Sequence, residues 1–175
     1  LVTDPRYPIG FFEAQPAYSS HERTALIEVT RTVPDSLRAA VAGLSSAQLS
    51  TPYRDGGWTL AQVVHHLPDA HANVLVRVQQ ALTSQFPTIN VFHEDRWEPL
   101  QTRQRVPLEL SLTLFDALQH RLALMFEALE PSEWQRGFTH PQLGVQTLEV
   151  TMARYAWHAR HHIAQVQNLR VQKGW

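Results

Sequence analysis

The sequence predicts an all-α fold, a four-helix bundle with one long crossover and an extended N-terminal arm. Three observations carry that expectation. Four stretches of the 175-residue chain repeat apolar residues at helical spacing. Residues 84–107, cornered by Pro87, Pro99 and Pro107, are longer than a bundle turn needs. Residues 1–18 hold three prolines and Gly10 among four aromatics, which no helix interior tolerates.

The elements follow in order. The arm, LVTDPRYPIGFFEAQPAY, must bury its aromatics and is expected to pack on the domain. From Ser20, a candidate cap, with Glu22 in the first turn, Ala25, Leu26, Val29, Val33, Leu37, Val41 and Leu44 form a stripe. Pro34 should kink or split this helix. SSAQLSTPYRDGGW reads as a turn and a Gly-Gly loop. The second helix starts at Thr59 and lines up Leu60, Val63, Val64, Leu67, Val74, Leu75, Val78 and Leu82, with a bend expected at Pro68. A Leu-rich third helix occupies about 107–130, with Pro107 suited to its first turn. An excursion over 131–146 has the Gly and Pro residues of a small hairpin. The fourth helix runs from about Thr147 to Gln172, with Gly174 as its stop. Neither repeats nor low-complexity tracts divide the chain, so residues 1–175 are expected to form one domain.

Composition narrows the function. A net charge of −1 provides no basic field for nucleic acid. The absence of Cys excludes disulfides, thiolate metal sites and a cysteine nucleophile. No apolar run approaches the roughly 20 residues of a membrane span, and no charged-then-apolar leader opens the chain. A soluble, cytoplasmic domain with a small-molecule partner is the expectation. The unusual number is ten histidines.

His21, His93, His120 and His140 are isolated and read as solvated. The remaining six fall in QVVHHLPDAH (62–71) and YAWHARHHIAQ (155–165). At about 100° per residue, His158 and His162 project together onto the core-facing stripe of the last helix, beside Tyr155, Val166 and Leu169, while His161 lies on its flank. Two imidazoles four residues apart in an apolar stripe are costly to bury unless hydrogen-bonded or metal-bound, and this spacing lets both reach one ion. Gln165, on the same face, can bond a ligand or brace an imidazole. On the second helix, His71 points into the apolar face, and His66 flanks it on the side of Gln62 and Ala70. His65 lies about 160° away and should face outward. Either His66 or His71 can be a third ligand; a bundle core commonly builds metal sites from facing helices.

Three neutral imidazoles leave a divalent charge uncompensated and a coordination position open, the pattern of a catalytic site. Zinc suits it; nickel or iron would also accept imidazole. Asp69, three residues after His66, is placed to orient an imidazole or act as a base, or is simply an exposed carboxylate.

GGWTLAQVVHHLPDAH (56–71) with YAWHARHHIAQ (155–165) resembles the DinB/YfiT-like superfamily, in particular its YfiT branch. RYPIGFFE (6–13), TPYRDGGW (51–58) and HPQLGVQTLEV (140–150) extend the likeness across nearly the whole chain. The resemblance implies a DinB-like four-helix bundle, one divalent metal per subunit (zinc, or nickel) and a homodimer. By motif the metal histidines fall on His66, eight residues after Trp58, and on His158 and His162. The branch is known for metal-dependent hydrolases and for bacillithiol S-transferases. It therefore implies either hydrolysis by metal-bound water or attack of a low-molecular-weight thiol, such as bacillithiol or mycothiol, on a small electrophile. A noncatalytic bundle braced by metal is the third alternative.

Overall fold

The computed structural model describes residues 4–175, apart from the side chains of residues 101–104; residues 1–3 of the arm lie outside the described set. Four long helices make the bundle: α1 (Ser20–Val41), α3 (Leu60–Thr83), α5 (Leu108–Glu127) and α6 (Leu148–Lys173). A one-turn helix, α2 (Ser46–Leu49), precedes α3, and α4 (Glu94–Gln104) lies within the crossover. The hairpin β1 (Gly137–His140) and β2 (Gly144–Thr147) leads into α6.

Each start of a long helix has a local cause. Ser19, one residue before the expected Ser20, caps α1 in a reciprocal box with Glu22. Thr59 does the same for α3: Gln62 N–H donates to Thr59 Oγ1 at 3.2 Å, and Thr59 N–H to Gln62 Oε1 at 2.7 Å. Thr147 caps α6 through the Val150 N–H. Pro107 sits at the cap position of α5, where its missing N–H costs nothing. At the other end, Gly174 takes the left-handed conformation that stops α6, as its position suggests.

Three expectations are refined. First, of the kink or split expected at Pro34 the split does not occur, since α1 runs through it, as α3 runs through Pro68. One absent N–H in a long helix is offset by the burial of neighbours such as Val33, Leu37 and Leu67. Second, α1 ends at Val41, before Leu44. Third, the crossover is partly helical, and Pro99 lies inside α4 rather than at a corner. Its charged sequence, EDRWEPLQTRQ, carries no apolar stripe to betray a helix. The hairpin forms with Gly137 opposite Thr147 and His140 opposite Gly144. A Cβ at Gly137 would collide with the Gln146 carbonyl, so this register requires glycine. Mutual hydrogen bonds between Pro87, Ile89 and Thr139 tie the hairpin to the crossover.

The core divides into two apolar layers. One gathers Leu37, Leu60, Val63, Leu67, Phe115, Ile163 and Val166; the other gathers Val74, Val78, Leu122, Phe126, Leu148 and Met152. Along α3 and α6 the switch between layers falls at His71 and His158. A belt of polar side chains crosses the bundle there. Outside it, the arm lies on α6: Tyr7 packs near His161 and Phe12 near Trp157, each pair with ring centroids 6.0 Å apart. No helix among the described residues is long and apolar enough to cross a membrane.

Candidate metal centre

α3 contributes His66 and α6 contributes His158 and His162, and the structure brings these three together. One ring nitrogen of each lies within 4.8 Å of the others. His66 Nε2 and His158 Nε2 are 3.2 Å apart, close to the edge of a tetrahedron built on zinc–nitrogen bonds of about 2 Å. The i, i+4 spacing on α6 stacks its two rings edge to face, 4.6 Å between centroids.

The hydrogen bonds behind the rings assign their tautomers. His71 Nδ1 meets Gln119 Oε1 at 2.8 Å, and since a carbonyl oxygen only accepts, His71 carries its proton on Nδ1. His71 Nε2 then accepts from His158 Nδ1 at 3.3 Å, leaving the lone pair of His158 Nε2 directed at the cluster. His162 Nδ1 donates to Gln165 Oε1 at 2.8 Å, which frees its Nε2 in the same way. Gln165 Nε2 is held in turn by His161 Nε2 at 3.1 Å and by the Arg6 carbonyl at 3.3 Å. Two glutamine carbonyls therefore set which nitrogen of each α6 imidazole is available, one directly and one through His71.

Burial keeps the set neutral. It lowers the pKa of His66 to about 4 and that of His71 to about 3. It pushes His158 and His162 well below the usual imidazole value, and the neighbouring imidazoles add to the effect. Three unprotonated nitrogens on one point suit a divalent cation, whose charge replaces the protons they do not hold.

The cluster opens onto a cavity of about 420 Å³. Trp58 and Phe92 flank the His66 ring, with centroids 4.8 and 5.9 Å away. Tyr155, Arg77, Arg154 and His140 form further wall. Burial raises the Tyr155 pKa, so its hydroxyl remains a neutral donor near pH 7.

The other singled-out residues divide. Gln165 braces His162, the role its helical face suggests. Gln62 does not join the site; its carbonyl caps α3. Asp69 is half-buried on the side of His65, whose charged form its carboxylate favours, and it is not on the cavity wall. His71, the alternative third ligand, is buried behind His158 rather than beside it. His65 does not face outward: Nδ1 lies 2.7 Å from Ser111 Oγ of α5, because α5 covers the flank that a lone-helix projection leaves bare. His140, read as solvated, lies on the cavity wall because the hairpin folds back onto the crossover. Gln119, Arg77 and Arg154 carried no signal in the sequence beyond being polar residues in helical segments. Gln119 falls beside Leu118 and Leu122 on the buried face of α5, where a polar residue is the available clue.

Comparison with known proteins gives relatives over nearly the whole chain. A "Putative metal-dependent hydrolase" of Geobacillus thermodenitrificans is 45% identical, with 98% of each chain covered. A protein of the same description from Geobacillus kaustophilus is 43% identical, with 99% of each covered. Among solved structures, YfiT from Bacillus subtilis, described as "a probable metal-dependent hydrolase with an unusual four-helix bundle topology", superposes with a TM-score of 0.95 at 37% identity over 99% of each chain. TT2238, a four-helix bundle protein 20% identical, covers 87% of this chain and 99% of its own at a TM-score of 0.56, a likeness of fold. The DinB superfamily model matches residues 30–166, and the chain belongs to the DinB superfamily.

Proposed function

We propose that the chain is a metal-dependent, cytoplasmic enzyme in which His66, His158 and His162 hold one divalent ion and a low-molecular-weight thiol attacks a small electrophile. Zinc is the favoured ion and nickel the second. The observation that carries this reading is the set of three neutral imidazoles opening onto a cavity large enough for a small molecule. Such an ion supplies positive charge that keeps a sulfur or oxygen nucleophile deprotonated at neutral pH. Gln165 and the His71–Gln119 pair fix the ligand nitrogens. Trp58 and Phe92 shield the His66 side from water, and Tyr155 offers a neutral hydroxyl to a departing group.

In net terms the thiol loses its proton, and sulfur bonds to the electrophilic carbon. The leaving group departs with its electron pair and a proton is returned to it. The cavity chemistry favours a thiol over water. Among the described residues on the wall, Glu94 is the one carboxylate, and it is exposed. The wall thus offers no buried carboxylate base beside the histidines, and a thiol ionises more readily than water. With no cysteine, the chain offers no competing thiol of its own. Hydrolysis remains the second reading, supported by the relatives' descriptions. The open cavity argues against a metal that only braces the helices.

The test is the consumption of monochlorobimane by metal-loaded protein with and without added thiol. Strict thiol dependence is expected; turnover unchanged without thiol would sink the transferase reading in favour of hydrolysis. Exposed Leu110, Leu114 and Leu124 on α5 support a homodimer, to be checked by sedimentation.

A further inference from the structure

Two guanidinium groups on the cavity wall form no ion pair with any carboxylate of the described residues. Arg77, on α3, is 6% exposed; Nη1 donates to the Tyr155 hydroxyl at 3.2 Å and Nη2 to the Asn90 carbonyl at 3.0 Å. Arg154, on α6 one turn before His158, lies over the Phe12 ring at 4.5 Å from its centroid. Its Nη2 reaches Gln146 Oε1 at 3.5 Å, and its Nε is buried without an acceptor. Among the described residues neither arginine forms an ion pair, and Glu94 on the rim is bonded to neither.

Both arginines also border a second, smaller cavity of about 40 Å³ beside Phe138, Gln146 and Thr151. Their fields overlap: after burial, Arg77 and Arg154 are what lowers the pKa of His140. Burial likewise lowers the pKa of Arg154. Arg77 is buried and Arg154 half-buried; unpaired charge away from water is costly, and a guanidinium has five N–H donors, most of them unused here. A planar or tetrahedral anion would satisfy them. Tyr155 connects this wall with the metal centre, since it is hydrogen-bonded to Arg77 and its ring centroid is 5.6 Å from that of His158.

We propose that Arg77 and Arg154 form an anion subsite that holds a carboxylate or phosphate group of the small-molecule ligand while its reacting end lies at His66, His158 and His162. This assignment rests on reading the cavity as the active site. The ligand it selects is a small anion with a spacer the width of Tyr155 between charge and reactive atom.

Isothermal titration calorimetry on the full chain tests it, both metal-loaded and after chelation, with succinate and inorganic phosphate as probes and uncharged succinamide as control. Wild-type protein in both states should bind at least one anion and not succinamide; the tighter of the two identifies the group. Arg154→Gln should raise Kd about tenfold or more, and Arg77→Lys, chosen because a truncation there risks unfolding, should weaken binding while the circular dichroism is retained. His158→Ala should lose metal yet keep the anion. Equal binding by wild type and Arg154→Gln, or no binding by wild type, overturns the subsite. Binding that requires metal and ignores Arg154→Gln also overturns it, because the anion then sits on the ion. Failure of the metal reading is seen separately, as wild-type protein that takes up no metal but still binds the anion.

Discussion

The apolar layers and the polar belt between them solve opposite problems with the same helices. In the layer around Leu37, Leu67 and Phe115, side chains are fully buried and hold one another by contact alone. In the belt, His71, Gln119, His161 and Gln165 are equally buried but each depends on a specific partner. The belt also concentrates incomplete pairing: Gln119, Arg154, Trp157 and His161 each have a buried polar atom without a bond. Layers of the first kind give stability; the belt spends some of it to hold imidazoles in one tautomer. The lesson is that folding and metal binding should be separable by mutation.

The largest effect is expected at the ligands. His158→Ala and His162→Ala should each take bound metal from about one equivalent per chain to near none, measured by elemental analysis, while the far-ultraviolet spectrum stays helical. Leu37→Ala should show the converse, a loss of about 2–5 kcal/mol in denaturant unfolding with metal stoichiometry unchanged. If Leu37→Ala also emptied the site, the separation would be wrong.

Milder changes sharpen the comparison. Gln165→Leu and Gln119→Leu remove the acceptors that set the tautomers and should weaken zinc binding by about 10–100-fold in competition with a chromophoric chelator. Gln119 acts through His71, so His71→Ala combined with Gln119→Leu should cost no more than His71→Ala alone. Acid gives a further contrast. The His66 pKa is about 4 when folded and near the ordinary imidazole value when unfolded. The unfolded chain therefore binds more protons between those values, and metal-free protein should lose stability as pH falls from about 6.5 to about 4. His66→Gln should reduce that slope in pH-dependent urea unfolding, leaving the share of His71, His158 and His162. The smallest effect is expected for Ser111→Ala, about 1 kcal/mol, since it removes a single bond to His65.

Much of this division was legible in the sequence, and the losses have a common cause. Helix periodicity located α1, α3, α5 and α6 because apolar stripes repeat over many turns, and the glycines and Pro141 marked the hairpin. α4 escaped because its face is charged, and the Ser19 cap was displaced by one because Ser20 is chemically equivalent. The pairing of His158 with His162 was visible because both share one helix and one face. Projection left His66 and His71 open, because the grouping of His66 with His158 and His162, with His71 behind His158, comes from α6 packing on α3. Gln119 and the two arginines were beyond reach for the same reason: their importance comes from partners far along the chain.

That distance has a temporal side. The imidazoles that meet at 3.2 Å come from positions 92 residues apart, and Gln165 bonds to a carbonyl 159 residues earlier. Such contacts close long loops and reward the chain only after most of its entropy is already lost. On a ribosome, α3 emerges with His66 and must wait for nearly all of the remaining polypeptide before its companions exist. The imidazole triad is thus a late product of biosynthesis, since a nascent chain presents His66 long before His158 and His162.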